Sequence, residues 1–397
     1  MKIGIVGPFN PATIADILTE KDIPTTNTAA TAVNTLVREF LNQGHKVKIY
    51  TLTTLLPQKF RKLKGKNIEV NMIPIGLFPK RFGYHQMAIA PFVLPGRIAK
   101  VIKRDIHQLD VLHAHWTYEY AKAASRFSDV IPVFDTVRDW CPYQMTIQKT
   151  RRDRLDWKLK NIIFRRVMAD RRITFIANSS YTYKMITETY PEKEVPIIPN
   201  PIDKSWILDE KRSLSQHQFV SIATGLMSPR KNIGRLLEAF AMYRQRYKDA
   251  ALHLVGGYDK SDALYAYWQE RGLLEGVILH GALPHDELAA LLDQMSCLVH
   301  PSLEETFGNI LLEAMSRCVP CIGGEDAGAV PEVLGRGKYG LVCNIKDSNA
   351  IYEALMKISD PQVASQIQHR ATEMLKQTYS SDIVVKKHID IFKEKLN

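Results

Sequence analysis

Pro301-Ser302-Leu303-Glu304-Glu305-Thr306-Phe307-Gly308-Asn309-Ile310-Leu311-Leu312-Glu313-Ala314 is the stretch around which the rest of this chain falls into place. The run before it, Cys297 to Val299, is short and apolar and suits a buried parallel strand. Asn309 to Ser316 has helical spacing with almost no polar face. Gly308 at the junction permits a close backbone approach. Strand, turn and helix in that order are part of a βαβ unit, with two carboxylates, Glu305 and Glu313, on either side of the turn. Glu313 is out of place in such a helix. A buried, unpaired charge costs several kcal/mol, so Glu313 needs a donor. A lysine or arginine at a domain edge would serve, and so would the vicinal hydroxyls of a sugar. The first amides of the helix, around Gly308 to Ile310, make an anion site suited to a diphosphate.

Outward from this segment the pattern repeats. Ile3 to Val6, Val47 to Thr51, Val111 to Leu112, Val133 to Phe134 and Phe175 to Ala177 are short β-rich runs, separated by helical stretches such as Thr31 to Gln43. A second set comprises Phe219 to Ala223, Leu252 to Val255, Val277 to Leu279, Cys297 to Val299, Pro320 to Ile322 and Gly340 to Val342. Alternation of this kind signals parallel βαβ units, and two sets predict two doubly wound α/β sheets. Ile198-Pro199-Asn200-Pro201-Ile202-Asp203 cannot continue a helix or a central strand and is read as the hinge. The expected domains are residues 1–203 and 204–380, with Ser381 to Leu396 forming a last helix rich in lysine.

The chain has 397 residues, enough for two full cores. Its longest apolar stretch, near Met87 to Leu94, is far shorter than the ~20 residues that span a bilayer. The amino terminus breaks after a few apolar residues and reads as a first strand instead of a secretory signal, so a cytoplasmic location is expected. Five cysteines, mostly in apolar surroundings, suit reduced thiols; Cys318 and Cys321 have the spacing of half a zinc site, but no second pair exists. The net charge of +11 is concentrated in the first half. From Gln58 to Arg104 eleven Lys or Arg face one acid, and from Lys149 to Arg172 ten face three. Such a surface suits phosphate-rich acceptors, anionic lipid headgroups or nucleic acid. The interspersed Phe60, Leu63, Phe78, Phe82 and Tyr84 favour lipid, and no nucleic-acid module is present.

In open α/β sheets ligands sit beyond the carboxyl ends of strands. The first such turn is Gly4-Ile5-Val6-Gly7-Pro8, which is not the dinucleotide fingerprint, and no Walker loop occurs, so hydride transfer is disfavoured. After the first strand of the second set, Arg230 and Lys231 stand together where a helix begins, a position the helix dipole disfavours unless an anion is near. They are plausible diphosphate ligands that would neutralise a leaving group without metal, and no Asp-x-Asp pair exists to bridge one. In the first half, His113-Ala114-His115-Trp116 and Arg138-Asp139 follow strands. His113 reads as structural and His115 as a substrate contact, while Arg138 and Asp139 pair with a ligand or with each other.

The whole set resembles the retaining GT-B glycosyltransferases of the large family called group 1 (family 4), marked by Glu-x7-Glu, here Glu305 and Glu313. Gly7, His115, Asn178-Ser179, Pro199-Asn200 with Asp203, Lys231, Gly281 and Ala329-Val330-Pro331-Glu332 carry the likeness along nearly the whole chain. The resemblance implies two Rossmann-like domains facing a cleft, a crossover helix at 381–397 returning to the first domain, and no metal or other cofactor. It implies a nucleotide-sugar donor, a UDP-sugar favoured, with Arg230 and Lys231 at the diphosphate, Glu313 at the ribose and Glu305 at the donor sugar. Gly281, Ala282 and Leu283 would meet the base. Gly7 and the Thr306, Phe307, Gly308, Asn309 and Ile310 turn would flank the phosphates. Glu305, Arg138, Asp139 and His115 are the catalytic candidates. The acceptor would be a glycan, lipid-linked or phosphate-rich, at the inner face of the cell membrane, in surface polysaccharide or glycolipid synthesis.

Two positions depart from the family. Leu226 stands where an arginine usually partners the lysine, and Arg138 where a histidine usually meets the donor sugar. They leave two other readings open: a binding subunit without turnover, and a nucleotide-sugar epimerase of the same fold.

Overall fold

A computed structural model of the protein describes residues 1–24, 30–55, 59–75, 90–147, 151–208 and 216–396. It divides into two compact units, Met1–Pro201 with Ser381–Asn397, and Ile202–Ser380. The division lies inside the proline segment read as the hinge, two residues before the boundary drawn from the sequence.

Unit 1 runs β1 (Lys2–Val6), α1 (Thr31–Asn42), β2 (Lys46–Thr53), β3 (Arg61–Gly65), β4 (Ile68–Pro74), α2 (Ala90–Ile102), β5 (Val111–His115), α3 (Glu119–Ala124), β6 (Val133–Val137), α4 (Cys141–Thr146), α5 (Arg151–Met168), β7 (Ile173–Ala177) and α6 (Ser180–Thr189). Unit 2 runs β8 (Gln218–Gly225), α7 (Ile233–Arg246), β9 (Ala251–Gly257), α8 (Ala263–Glu270), β10 (Val277–Gly281), α9 (His285–Leu292), β11 (Cys297–His300), α10 (Asn309–Ser316), β12 (Cys321–Gly324), α11 (Val330–Val333), β13 (Leu341–Cys343), α12 (Ser348–Ile358) and α13 (Pro361–Met374). The chain then re-enters unit 1 as α14 (Ser381–Glu394).

The sheet of unit 1 has the order β3-β4-β2-β1-β5-β6-β7, parallel except for β3. Alternate residues serve opposite layers, as strand geometry requires. Ile3, Ile5, Ile49, Val111 and Phe134 pack with α1 and α14, whereas Tyr50, Leu112, Ala114, Val133 and Phe175 pack with α2, α3 and α5. Phe392 of α14 is fully buried, its ring 4.6 Å from that of Phe134 and 6.3 Å from that of Phe40. Truncating such a side chain costs about 3–5 kcal/mol, so α14 is an integral part of this unit.

Unit 2 has the order β10-β9-β8-β11-β12-β13, all parallel. In each sheet the strand order reverses once, between β1 and β5 in unit 1 and between β8 and β11 in unit 2. The loops leaving those four strands hold Gly7, His115-Trp116, Arg230-Lys231 and Glu304-Glu305. Topology alone thus brings distant parts of the sequence to one crevice within each unit.

The hairpin β3–β4 was not foreseen. Its sequence, Arg61-Lys62-Leu63-Lys64-Gly65, resembles a charge run, but the alternation is that of an edge strand whose lysines discourage further pairing. Leu63 is buried at 2% exposure and belongs to the core, not to a lipid-facing surface. Arg61 pairs with Asp22 at 3.3 Å and Lys62 with Glu69 at 2.9 Å, which neutralises part of the first basic stretch. Phe78, Phe82 and Tyr84, and Met87 to Ile89 of the long apolar run, lie outside the described residues.

Candidate functional site

In unit 2 the loop after β8 meets the loop after β11. Lys231, 8% exposed, directs Nζ to Glu305 Oε1 at 2.5 Å. Arg230 Nη1 donates to the backbone oxygen of Glu304 at 2.7 Å and lies 3.4 Å from Glu305 Oε2. The amide of Leu303 returns a bond to the Arg230 carbonyl at 2.8 Å, so the two loops are tied in both directions. Glu305 is held from its other side by the segment after β12. Its amide donates to Ala327 O at 3.3 Å and its carbonyl accepts from the Ala329 amide at 2.8 Å, a parallel bridge opposite Gly328. This explains the Ala329-Val330-Pro331-Glu332 element: α11 begins there and buries Val330 against the sheet.

Burial works against ionisation of Glu305, but His300, Lys231 and Arg230 around it prevail and hold its carboxyl well below the usual range. His300 Nε2 lies 3.4 Å from Glu305 Oε1, which sets the imidazole against the carboxylate. Its ring is buried at 3% exposure, and burial lowers its pKa despite the carboxylate. The site is thus an anion ringed by two cations and an imidazole, at the point where the sheet order reverses.

Leu226 is 1% exposed and lies in the core of unit 2, its amide bonded to Gly257 O at 2.8 Å. The position where the resemblance expects an arginine therefore turns inward, and the guanidinium that lies beside Glu305 is that of Arg230. Gly308 caps α10 at φ 88°, and a side chain there would press on Leu311. Phe307 inserts its ring into the core, 5.8 Å from that of Tyr379, so only its backbone faces outward. Thr306, Asn309 and Ile310 complete that turn. Glu313 is 7% exposed in α10, with His285 Nε2 4.0 Å from its Oε1. The His285 ring stacks on Trp206 at 4.1 Å, and burial lowers its pKa against the pull of Asp286 and Asp203. Gly281 ends β10 at φ 71°, followed by exposed Ala282 and half-buried Leu283.

Unit 1 builds a second polar cluster at its own switch point. A side chain at Gly7 would meet His115 Cβ at 3.1 Å, so glycine lets the first turn close onto β5. Arg138 Nε and Nη2 reach His115 Nδ1 at 3.2 and 3.1 Å, and Nη1 donates to Asn200 Oδ1. A guanidinium only donates, so His115 Nδ1 is an acceptor and its proton sits on Nε2. Burial and the neighbouring His113 and Arg138 keep His115 neutral. Burial also pulls Arg138 down to about 10, still a cation at neutral pH. Asp139 accepts from the Tyr118 hydroxyl at 2.7 Å. His113 bonds Thr136 Oγ1 at 2.8 Å and packs against His388, in keeping with a structural part.

The sequence reading did not single out His300, Glu304, His285, Trp206 or the buried Asp135. His300 ends an apolar strand and so had a signal; Trp206 had none.

Residues 205–376 match the family model of Glycosyl transferases group 1, and residues 29–206 that of Glycosyltransferase Family 4. The chain belongs to the group 1 glycosyltransferases. This glycosyltransferase is 24% identical over 373 residues to N-acetyl-alpha-D-glucosaminyl L-malate synthase of Bacillus anthracis, covering 90% of this chain and 91% of that protein. Its fold is similar to that of sucrose-phosphate synthase from Thermosynechococcus elongatus, with TM-score 0.78 and 15% identity over 99% of this chain and 98% of that one. It is also similar to Anabaena HepE in complex with UDP-glucose, with TM-score 0.68 and 16% identity over 99% of this chain and all of that one. The enzyme thus has the GT-B fold and is a nucleotide-sugar glycosyltransferase. Among its described residues no helix is long and apolar enough to cross a membrane, and no cluster of three His, Cys, Asp or Glu is arranged to hold a metal ion.

Proposed function

We propose that this glycosyltransferase moves a sugar from a UDP-sugar, with retention of anomeric configuration, to a lipid-linked or phosphate-bearing glycan acceptor in surface polysaccharide or glycolipid synthesis. The observation that carries the donor half is the convergence of Arg230 and Lys231 on one carboxylate beside the amino end of α10. Two fixed cations there would stabilise the charge that develops on a departing diphosphate, and their positions cost no reorganisation during the reaction. In this reading the charge comes from side chains and no metal is needed. Glu305 would hold the sugar, Glu313 the ribose hydroxyls, and the 306–310 turn the phosphates, with Gly281 to Leu283 at the base. UDP is favoured because the HepE neighbour was solved with UDP-glucose. For unit 1 we assign Gly7, His115 and Asp139 to the transfer, with Arg138 fixing the His115 tautomer. A surface acceptor fits the basic first half of the chain, where location at the inner face of a membrane would follow.

A thermal-shift screen with UDP-, GDP- and ADP-sugars tests the donor, because a ligand that binds only the folded state raises Tm. A UDP-sugar should raise it most, with or without EDTA, and the product anomer read by NMR should match the donor. If no nucleotide sugar shifts Tm, the donor assignment fails.

A further inference from the structure

Helix α5 carries a stripe that neither the core nor the candidate site uses. Arg151, Leu155, Lys158, Ile162 and the pair Arg165-Arg166 recur at three- and four-residue spacing and are all exposed. The opposite face seats Ile163, Phe164 and Val167 in the core at 3%, 1% and 0% exposure. Leu155 is 55% exposed and Ile162 41%, so two large aliphatic side chains stand outward among cations. Lys158, Arg165 and Arg166 form no ion pair among the described residues. The acid at Asp156 is already neutralised by Lys160 at 2.9 Å, and Lys160 lies over the Trp157 ring.

Cations alone would suit any polyanion. The aliphatic pair narrows the choice, because Leu155 and Ile162 are seven residues apart, about 10 Å along the helix, with Lys158 between them. A helix lying flat on an anionic bilayer satisfies both features at once: cations meet headgroups while the aliphatic side chains enter the acyl boundary. A nucleic-acid backbone would satisfy the cations but leave the two aliphatic groups without apolar surroundings. We infer that the outward stripe of α5 docks this glycosyltransferase on an anionic membrane. The inference deepens the proposed lipid-linked acceptor and moves the docking surface from the first basic stretch, where Arg61 and Lys62 are paired, to the second.

The test is sedimentation of the full-length protein with vesicles of phosphatidylcholine alone, or with about a third phosphatidylglycerol. Binding should require the anionic lipid and weaken as salt rises. The triple variant Lys158→Glu, Arg165→Glu, Arg166→Glu should lose at least about fivefold in partitioning per cation. The variant Leu155→Ser, Ile162→Ser should lose several-fold with its charge unchanged. Both should keep the Tm and the donor hydrolysis of the parent. Equal binding to both vesicles, binding to neither, or unchanged binding by either variant overturns the inference. So does equally tight binding of a short DNA duplex that displaces the vesicles. Vesicle binding without any nucleotide-sugar turnover would leave the docking surface standing and reject the proposed function instead.

Discussion

Lys231 Nζ and Glu305 Oε1, 74 positions apart in sequence, lie 2.5 Å apart in the fold. The contact joins the two loops that flank the switch point of unit 2, and any diphosphate that Lys231 receives must share it with this carboxylate. Glu305→Gln removes the competing charge. Turnover should fall about a hundredfold or more, while the Kd for UDP, measured by calorimetry, should stay the same or improve. Full turnover by the variant would remove Glu305 from the reaction.

Glu313 makes a different claim. If it accepts from the ribose hydroxyls, Glu313→Ala should weaken UDP alone as much as a UDP-sugar, by about 1.5–3 kcal/mol per bond lost. Paired titrations with the nucleotide and the sugar nucleotide read this directly. Unchanged affinity for both would end the ribose assignment.

In the proposed reading Arg138 acts through its neighbour. Arg138→Met deprives the buried His115 Nδ1 of its donor and Asn200 of one of its own, so stability should drop by about 1–3 kcal/mol per group. A merely structural effect would stop there. The assigned positioning role adds a second readout: the ring nitrogens of His115, followed by NMR, should no longer show a single Nε2-protonated form. A fixed tautomer in the variant would contradict the assignment.

Stability should respond to pH from both sides. Burial pulls His388 down to about 4 from an ordinary 6.5, so its neutral ring contributes stability above 6.5 that is lost as pH falls through 4. Burial lowers His113 and His115 in the same direction. Asp135 behaves oppositely. It is fully buried, and burial raises its carboxyl from 3.8 to about 7 against Thr117 and Arg138. The fold then binds a proton that the unfolded chain releases, and stability declines as pH rises from about 4 to 7. Asp135→Asn should match the parent near pH 4 and exceed it by up to about 4 kcal/mol at pH 8 in denaturant titrations. A difference independent of pH would show that Asp135 does not titrate in this range.

The parallel strands other than β4 were legible because each is a short apolar run bounded by helical spacing, and the boundary between the units because prolines exclude regular structure. The β3–β4 hairpin was not, since the lysines that protect an edge strand read as part of a basic surface suited to lipid. Glu313 announced itself as a charge in an apolar helix. Glu305 did not, because what marks it is the arrival of Lys231, Arg230 and His300 from other strands, and only the sheet order brings them together. Arg138 was legible as an oddity, but its orientation toward His115 and Asn200 depends on packing that no local pattern encodes.

The amide of Ile202 donates to Tyr379 O at 2.8 Å, and Ile202 forms a bridge with Ser380, so the chain enters and leaves unit 2 at the same place. Residues 202–380 are therefore a cassette with adjoining ends, inserted in a host that is complete only when α14 is added. Excision of the cassette leaves Pro201 and Ser381 within reach of a few glycines, whereas simple truncation at the hinge strips unit 1 of Val384, Val385, Ile389 and Phe392. The gene is thus portable by grafting but not by cutting: unit 2 can be exchanged between relatives at two neighbouring seams, while an amino-terminal fragment made by stopping translation early would carry an open core.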